Sequence, residues 1–346
     1  MNGDSPSSRS SVSEEHFSAL FNEGGFFERK NSGALDLHGK DALDFLHRMT
    51  TNELKSLKPF TVQETILTNE KARIIDVLRV LIGEEYIRVL TSERLNKDVR
   101  KWLEKFIIMD DVTIVERTEE LALIDVIGEK AISKITAELI GSTEKFESAW
   151  RKIQIDSVQA ELVFHQSITG SMLTIVFPKA QIDAMKRWLR NIIGISSELT
   201  EAQFELWRIE HGFPKVGAEL SEYVHPLEAG AERAVSFTKG CYVGQEVIAR
   251  LDTYQKVHRQ LRGIIIDSSE AIAETPPIIL KSESREIGKI TSLVFHPRLR
   301  KWIGLGIVET GMEEATSLHV DCNGKSIDAR IVSLPFSISE NEAVGG

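Results

Sequence analysis

Lys239-Gly240-Cys241-Tyr242-Val243-Gly244-Gln245-Glu246 is the least ordinary stretch of this 346-residue chain, and its reading decides the rest. Two glycines flank Cys, Tyr and Val, which lets the backbone take positive φ, turn sharply and present the thiol. Lys239 stands two positions before Cys241, and a nearby ammonium favours thiolate, the form that acts as nucleophile or metal ligand. A lone cysteine is ordinarily a small buried hydrophobe. The glycines and the lysine point instead to a functional thiol, without choosing between nucleophile and ligand. Cys322 is the other of only two cysteines. That number excludes a disulfide framework and a cluster held by this chain's thiolates alone, and it makes a reducing compartment, the cytoplasm, the expectation.

Just upstream, Thr200-Glu201-Ala202-Gln203 has the form of a capping box, so a helix should start near 201 and run to about Gly212. On it Glu210 has Leu206 and Trp207 at minus four and minus three, with Phe213 and Pro214 just beyond. With no basic neighbour at helical spacing, this carboxylate faces an apolar wall and needs a partner from elsewhere, either a ligand with paired N–H donors or a distant Arg. Asp76 is a similar acid. In the alternating segment Ile74 to Leu81 it shares a face with Ile74, Leu78 and Val80, and nearby Arg73 is its other available partner.

Periodicity gives the architecture. Ala42, Phe45, Leu46 and Met49 mark a helix from about 41, with Asp41 as N-cap. Period-two runs follow from Glu64 to Thr91, and Leu95, Val99, Trp102, Leu103 and Phe106 return to helical spacing. A similar alternation of strands and helices recurs from about 112 to 193. Beyond Lys256 the helical period disappears, and short β-type runs punctuated by Gly, Pro and Asn fill 259 to 336. The expected fold is α+β: two antiparallel-sheet lobes over 17–254 and a small C-terminal β-barrel over 255–337. Residues 1–16 read as a disordered Ser-rich lead-in and 338–346 as a flexible tail.

Lys plus Arg number 42 and Asp plus Glu 52, a net charge of −10 that argues against a general nucleic-acid binder. Residues 255–346 carry 11 basic and 12 acidic side chains, so nearly all of that charge belongs to the lobes. The basic run His296-Pro297-Arg298-Leu299-Arg300-Lys301 reads as a solvated loop. There is no apolar stretch of membrane-spanning length, no Gly-rich phosphate loop and no Cys-x-x-Cys or His-Glu-x-x-His pattern, and none of the nine histidines falls at metal-ligand spacing.

The octapeptide resembles the signature of the YgfZ-type folate-binding proteins, a family similar in fold to the glycine-cleavage T-protein, the aminomethyltransferase. Phe45-Leu46-His47-Arg48-Met49-Thr50-Thr51-Asn52, Leu67-Thr68-Asn69-Glu70-Lys71, Arg208-Ile209-Glu210-His211-Gly212 and Gly288-Lys289-Ile290-Thr291-Ser292 are similar to stretches of that superfamily in the same order. The resemblance implies tetrahydrofolate, or a one-carbon derivative, in a central cavity. It also implies a role in assembling or maintaining iron–sulfur enzymes, including those that modify tRNA, with those enzymes or cluster-assembly proteins as partners. In the family the acid of the Arg-x-Glu segment binds the pterin, which carries over to Glu210. Tyr242, Gln245 and Arg250 are the further expected folate contacts, Arg250 having Asp252 as its other available partner. Cys241, Lys239 and Asp76 are the expected catalytic residues. Where the aminomethyltransferases have a pair of acids, one of them catalytic, this chain has Asp76 followed by Val77. That departure sets aminomethyl transfer through Asp76, and a docking scaffold with a vestigial folate site, as the rival readings.

Overall fold

A computed structural model describes residues 23–141, 148–167, 170–253, 257–312, 317–322 and 324–336. The lead-in expected over 1–16 and the tail expected over 338–346 lie outside the described residues. The elements run β1 (Gly25–Glu28), β2 (Ser32–His38), α1 (Ala42–Met49), β3 (Val62–Thr68), β4 (Ile74–Ile82), β5 (Ile87–Glu93), α2 (Asn96–Glu104), β6 (Thr113–Glu116), β7 (Leu121–Ile127) and α3 (Glu129–Ile140). Then come β8 (Ala149–Ile155), β9 (Val158–Ser167), β10 (Gly170–Pro178), α4 (Ile182–Ile193), α5 (Glu201–Glu210) and α6 (Gln245–Thr253). Six further strands follow, β11 (Arg259–Ile266), β12 (Ile278–Ser282), β13 (Arg285–His296), β14 (Lys301–Glu309), β15 (Leu318–Cys322) and β16 (Lys325–Val332).

These strands form two antiparallel sheets, β3-β4-β5-β2-β6 and β1-β7-β10-β9-β8, and a closed barrel, β11-β14-β13-β12-β15-β16. The α+β class and the barrel are as the sequence predicts. The lobes, however, exchange strands: β1 joins the second sheet, pairing with β7, and β6 joins the first, pairing with β2. Alternation marks a strand but not its neighbour, so the consecutive lobes expected over about 41–106 and 112–193 are interlocked instead.

Period-two burial makes both sheets apolar on both faces. Leu35, Leu78, Val80 and Val89 pack outward under α1 and α2, while Ile124, Leu162 and Ile175 pack under α3 and α4. Between the sheets Ala34, Val62, Leu81 and Leu90 meet Leu123, Trp150, Val163 and Val176, giving helix–sheet–sheet–helix layers. Trp150 keeps its indole N–H satisfied in this dry layer by donating to the Ile82 carbonyl at 2.9 Å. Asp41 does not cap α1 as predicted, because its Oδ2 accepts from the Asp111 amide across a loop instead.

α5 joins lobes to barrel. Its Thr200–Gln203 capping box is complete, and its Leu206 and Ile209 pack against barrel residues Ile303 and Leu305. Among the described residues no helix is long and apolar enough to cross a membrane.

Candidate functional site

The two sheets diverge toward α5 and the loop after it, leaving a cavity with about 890 Å³ of empty space, counting its mouth. Val77 and Arg79 of β4, Phe27 and Arg29 on the β1 side, and Phe204, Glu205 and Arg208 on the α5 side line it.

Its floor is electrostatic. Asp125, in the middle of the apolar β7, is fully buried and holds Arg29 at 3.4 Å and Arg79 at 3.2 Å. Burial opposes its ionisation, but Arg79, Arg29 and the Thr174 hydroxyl outweigh that cost and keep its carboxyl down at about 2. Arg79 also donates to the Thr174 hydroxyl at 2.9 Å. Two guanidiniums thus share one buried carboxylate, and each keeps some solvent exposure toward the cavity side. His165, behind them on β9, stays neutral because burial and Arg79 hold it well below the usual imidazole range.

One wall is aromatic. Phe27 and Phe204 stack with centroids 4.2 Å apart and planes within 3°, and Trp207 continues the stack from Phe204 at 6.1 Å. Beside them the acidic residues Glu64, Glu201 and Glu205 reach the cavity. Arg208 ties this wall to the barrel. It donates to Glu205 at 2.8 Å, to buried Glu219 at 3.3 Å and to Ser292 at 2.6 Å. Glu219 accepts at 2.6 Å from both the Thr291 and the Ser292 hydroxyls, which sit at a β13 bulge, and at 2.9 Å from the Lys215 amide. The Gly288–Ser292 motif therefore acts through a buried carboxylate that fixes the cavity wall.

The sequence-predicted residues fall differently. Asp76 is fully buried on the far side of β4, where it accepts from the Val77 amide at 2.8 Å and the Ser92 amide at 3.0 Å. Burial raises its pKa to about 7 against those donors. A strand alternates its faces, so Val77, not Asp76, lines the cavity. Arg73 is no partner either, since it donates to the Tyr223 carbonyl at 2.7 Å. Glu210 also turns away from the cavity, into the α5–barrel seam, where its Oε2 lies 3.3 Å from His296 Nε2. His296 Nδ1 accepts from the Leu299 amide, which leaves the proton on the nitrogen facing Glu210. The acid predicted to need a partner from elsewhere lies against His296 of the predicted solvated loop, which is itself fully buried, at ion-pair distance but without hydrogen-bond alignment between Oε2 and Nε2.

Lys239 is buried and does not serve the thiol. Its ammonium donates to the carbonyls of His47, Thr50 and Asn52 at 2.5, 2.7 and 2.7 Å, closing the C-terminal end of α1. Burial pulls its pKa down to about 8, so it still carries charge at neutral pH. Tyr242 is a core residue packed with Ile66, Ile74 and Ile248, 5.2 Å beneath the Lys239 ammonium, and burial pushes its phenol up to about 12. Gln245 reaches back to the Lys239 carbonyl at 3.4 Å, and Arg250 is exposed on α6. Cys241 alone of the octapeptide's candidates stands open to solvent as a free thiol. Of the two glycines only Gly244 uses its freedom: its φ is +85°, and a Cβ there would meet the Asn69 carbonyl at 2.8 Å, whereas Gly240 has open space around it.

Thus the structure gathers Cys241, Lys239, Tyr242 and Gln245 in one braced loop against the β3–β4 turn, separate from the cavity. The cavity residues Arg29, Arg79, Asp125 and Phe204 went unread in the sequence. Their signal was there in part: Asp125 interrupts the apolar run Leu121–Ile127, and Arg79 falls on the opposite parity from Asp76.

Paired sandwiched sheets around a polar cavity, walled on one side by α5 and braced from behind by a six-stranded barrel through Ser292, Glu219 and Arg208, define the architecture. A family pattern described as the GCVT N-terminal domain matches residues 5–239, and one described as the glycine cleavage T-protein C-terminal barrel domain matches residues 259–337. The chain belongs to the glycine cleavage T-protein family. It is similar to an aminomethyltransferase of Thermosipho melanesiensis, at 29% identity over 90% of this chain and 85% of the relative. An aminomethyltransferase of Bacillus cereus strain B4264 is 28% identical over 94% of this chain and 90% of its own length. The crystal structure of the glycine cleavage system aminomethyltransferase T from Bartonella henselae shares the fold, with a TM-score of 0.79, 20% identity and coverage of 93% and 89% of the two chains.

Proposed function

We propose that the cavity binds tetrahydrofolate or a one-carbon derivative of it, and that the chain is a folate-dependent protein of the aminomethyltransferase kind. The observation that carries this is the cavity's division into a stacked Phe27–Phe204 wall and an Arg29–Arg79 floor over one buried carboxylate. The aromatic wall offers a face to a flat pterin or aminobenzoyl ring. Glu64, Glu201 and Glu205 offer acceptors for ring N–H groups, and the two guanidiniums suit a carboxylate. Bound there, tetrahydrofolate would supply the nitrogens that carry a one-carbon unit. The protein's part is to orient the ring, keep water from it and hold the tail carboxylate. The relatives' names favour aminomethyl transfer. For this chain the acid serving that transfer is sought among the glutamates at the cavity rather than at Asp76, which faces the other way.

Calorimetric titration with tetrahydrofolate tests the proposal. Phe204→Ala and Arg79→Ala should each weaken binding about tenfold. No binding by the unaltered protein, or binding indifferent to both substitutions, overturns it.

A second reading attaches to Cys241, whose exposed thiol lies outside the cavity on a loop braced by Lys239 and Gly244. On this reading the chain supports assembly or maintenance of iron–sulfur enzymes, including tRNA-modifying ones, with Cys241 contributing one thiolate to a cluster that a partner otherwise ligates. One thiolate cannot hold a cluster unaided, so the ligand count requires that partner. A deletion strain complemented with Cys241→Ala should fail to restore a cluster-dependent tRNA-modifying activity, and full rescue removes the reading.

A further inference from the structure

The outer strands of a sheet are where another chain can add, because one side of each carries backbone groups outside the ladder. The two sheets end on β3 and β6, and on β1 and β8. Three of these strands are covered or guarded. β1 is bridged by Glu198, and the Leu199 amide donates to the Phe26 carbonyl at 2.9 Å. β3 is met at one end by Ser148, whose carbonyl accepts from the Val62 amide at 3.2 Å, and at the other by Thr51, whose amide donates to the Ile66 carbonyl at 3.0 Å. β8 carries exposed Arg151, Lys152 and Gln154, and charge along an edge discourages pairing.

β6 has neither protection. Its residues Thr113-Ile114-Val115 are all β-branched, and Val115 is 39% exposed. The Arg117 amide donates to the Ala34 carbonyl at 2.8 Å, which together with the β2 register phases the ladder. Residues 113 and 115 therefore bond to β2, and the backbone groups of Ile114 and Glu116 point to the open side. Among the described residues no strand or backbone group pairs with them there. Just before the strand Ile108 and Met109 stand 85% and 93% exposed, so the edge continues into an apolar tip.

The strand's own sequence fits a second copy of itself. Antiparallel pairing about a two-fold axis at Ile114 sets Ile114 against its equivalent and Thr113 against the other copy's Val115. It also sets Asp111 against the other copy's Arg117, once on each side of the axis. Asp111 is exposed and has no cation partner among the described residues. Arg117 keeps 33% of its side chain exposed beyond its contacts with Glu120 at 2.8 Å and Asp36 at 3.5 Å. Centring the axis on Val115 instead would set Asp111 against Glu119, acid against acid. Charge therefore selects the Ile114 register.

We propose that β6 is a self-association edge, at which two copies of this chain add strand to strand, antiparallel about Ile114. The sheet β3-β4-β5-β2-β6 of each copy then continues into that of the other. Such an interface is isologous, so it closes at the dimer rather than growing into a fibre. The strand is four residues long, which puts the contact at the small end of specific interfaces and makes the dimer dissociate on dilution. The proposal depends on neither the folate reading nor the Cys241 reading.

Sedimentation velocity of the full-length protein over roughly 1–300 μM should show the mass moving from monomer to dimer. Val115→Lys, which places a charge on the edge, and Asp111→Arg, which faces Arg117 with a like charge, should each weaken dimerisation about tenfold. Both positions are exposed, so the circular dichroism spectrum and the urea midpoint should stay as in the unaltered protein. The register is read on the Cys241→Ser background by mixing Thr113→Cys with Val115→Cys. That non-hydrogen-bonded pair lies within disulfide reach, so the mixture should crosslink under oxidised glutathione faster than Val115→Cys alone. A monomer at every concentration overturns the proposal, even if an unrelated extended peptide binds the edge. A dimer indifferent to both charge substitutions overturns it, and so does Val115→Cys crosslinking to itself faster than the mixture.

Discussion

Replacing Asp76 with Asn should change how stability depends on pH while leaving the cavity intact. Asp76 has a folded-state pKa of about 7 against an ordinary value of 3.8, because burial disfavours its charge more than the Ser92 and Val77 donors favour it. Between those pH values the folded chain keeps a proton that the unfolded chain releases. Its stabilising contribution is present below pH 3.8 and is lost as pH rises through 7. The raised pKa corresponds to about 4 kcal/mol over that window. An amide has no proton to lose; its NH2 cannot accept, so one of the Val77 and Ser92 amides loses its acceptor, a cost that is the same at every pH and leaves the pH dependence as the readout. Urea unfolding at a series of pH values should therefore show Asp76→Asn gaining about 4 kcal/mol relative to the unaltered protein between pH 4 and pH 7.5. Tetrahydrofolate binding should change by less than about twofold, since the side chain faces α1 and α2 rather than the cavity. Parallel stability curves would refute the buried, proton-holding carboxyl. A tenfold or greater loss of folate binding would refute its separation from the site.

Lys239→Met strands three carbonyls at the end of α1 and should cost roughly 3 kcal/mol in urea unfolding. The alkylation rate of Cys241 should stay within about twofold, and a tenfold fall would return Lys239 to the role of thiolate stabiliser. Gly244→Ala forces an L side chain into positive φ against the Asn69 carbonyl and should destabilise by about 1–3 kcal/mol, while Gly240→Ala stays within about 0.5 kcal/mol. Equal costs would mean the loop is braced differently. Ser292→Ala removes one donor from buried Glu219 and should cost about 1–3 kcal/mol and weaken folate binding through Arg208 and Glu205, with Ser292→Thr restoring both. Failure of Thr to rescue would show that the hydroxyl is not what positions the wall.

Much of the fold was legible because burial follows backbone period. The helix at Ala42–Met49, the strand from Ile74, the capped helix from Glu201 and the β-only C-terminal region are all local patterns. The exchange of β1 and β6 between sheets was not, since any strand of the right alternation can pair with any edge. The octapeptide's residues divide the work: Lys239 and Gly244 brace the loop, Tyr242 fills the core, and of the candidate residues in it only Cys241 is open to solvent.

By itself the sequence determined that this chain is a two-lobed α+β protein with a β-barrel, that Glu210 needs a distant partner and that a single cysteine stands in a built loop. Only the tertiary structure decided which acids face the cavity. A one-residue step along β4 sends Asp76 outward and Val77 inward, and whether the inward face meets solvent, core or ligand depends on the second sheet packed across it. The Arg29–Asp125–Arg79 floor joins residues 46 and 96 positions apart in the chain. Charge pairing over such separations leaves no local period to read, so the cavity's chemistry exists only once both sheets are assembled.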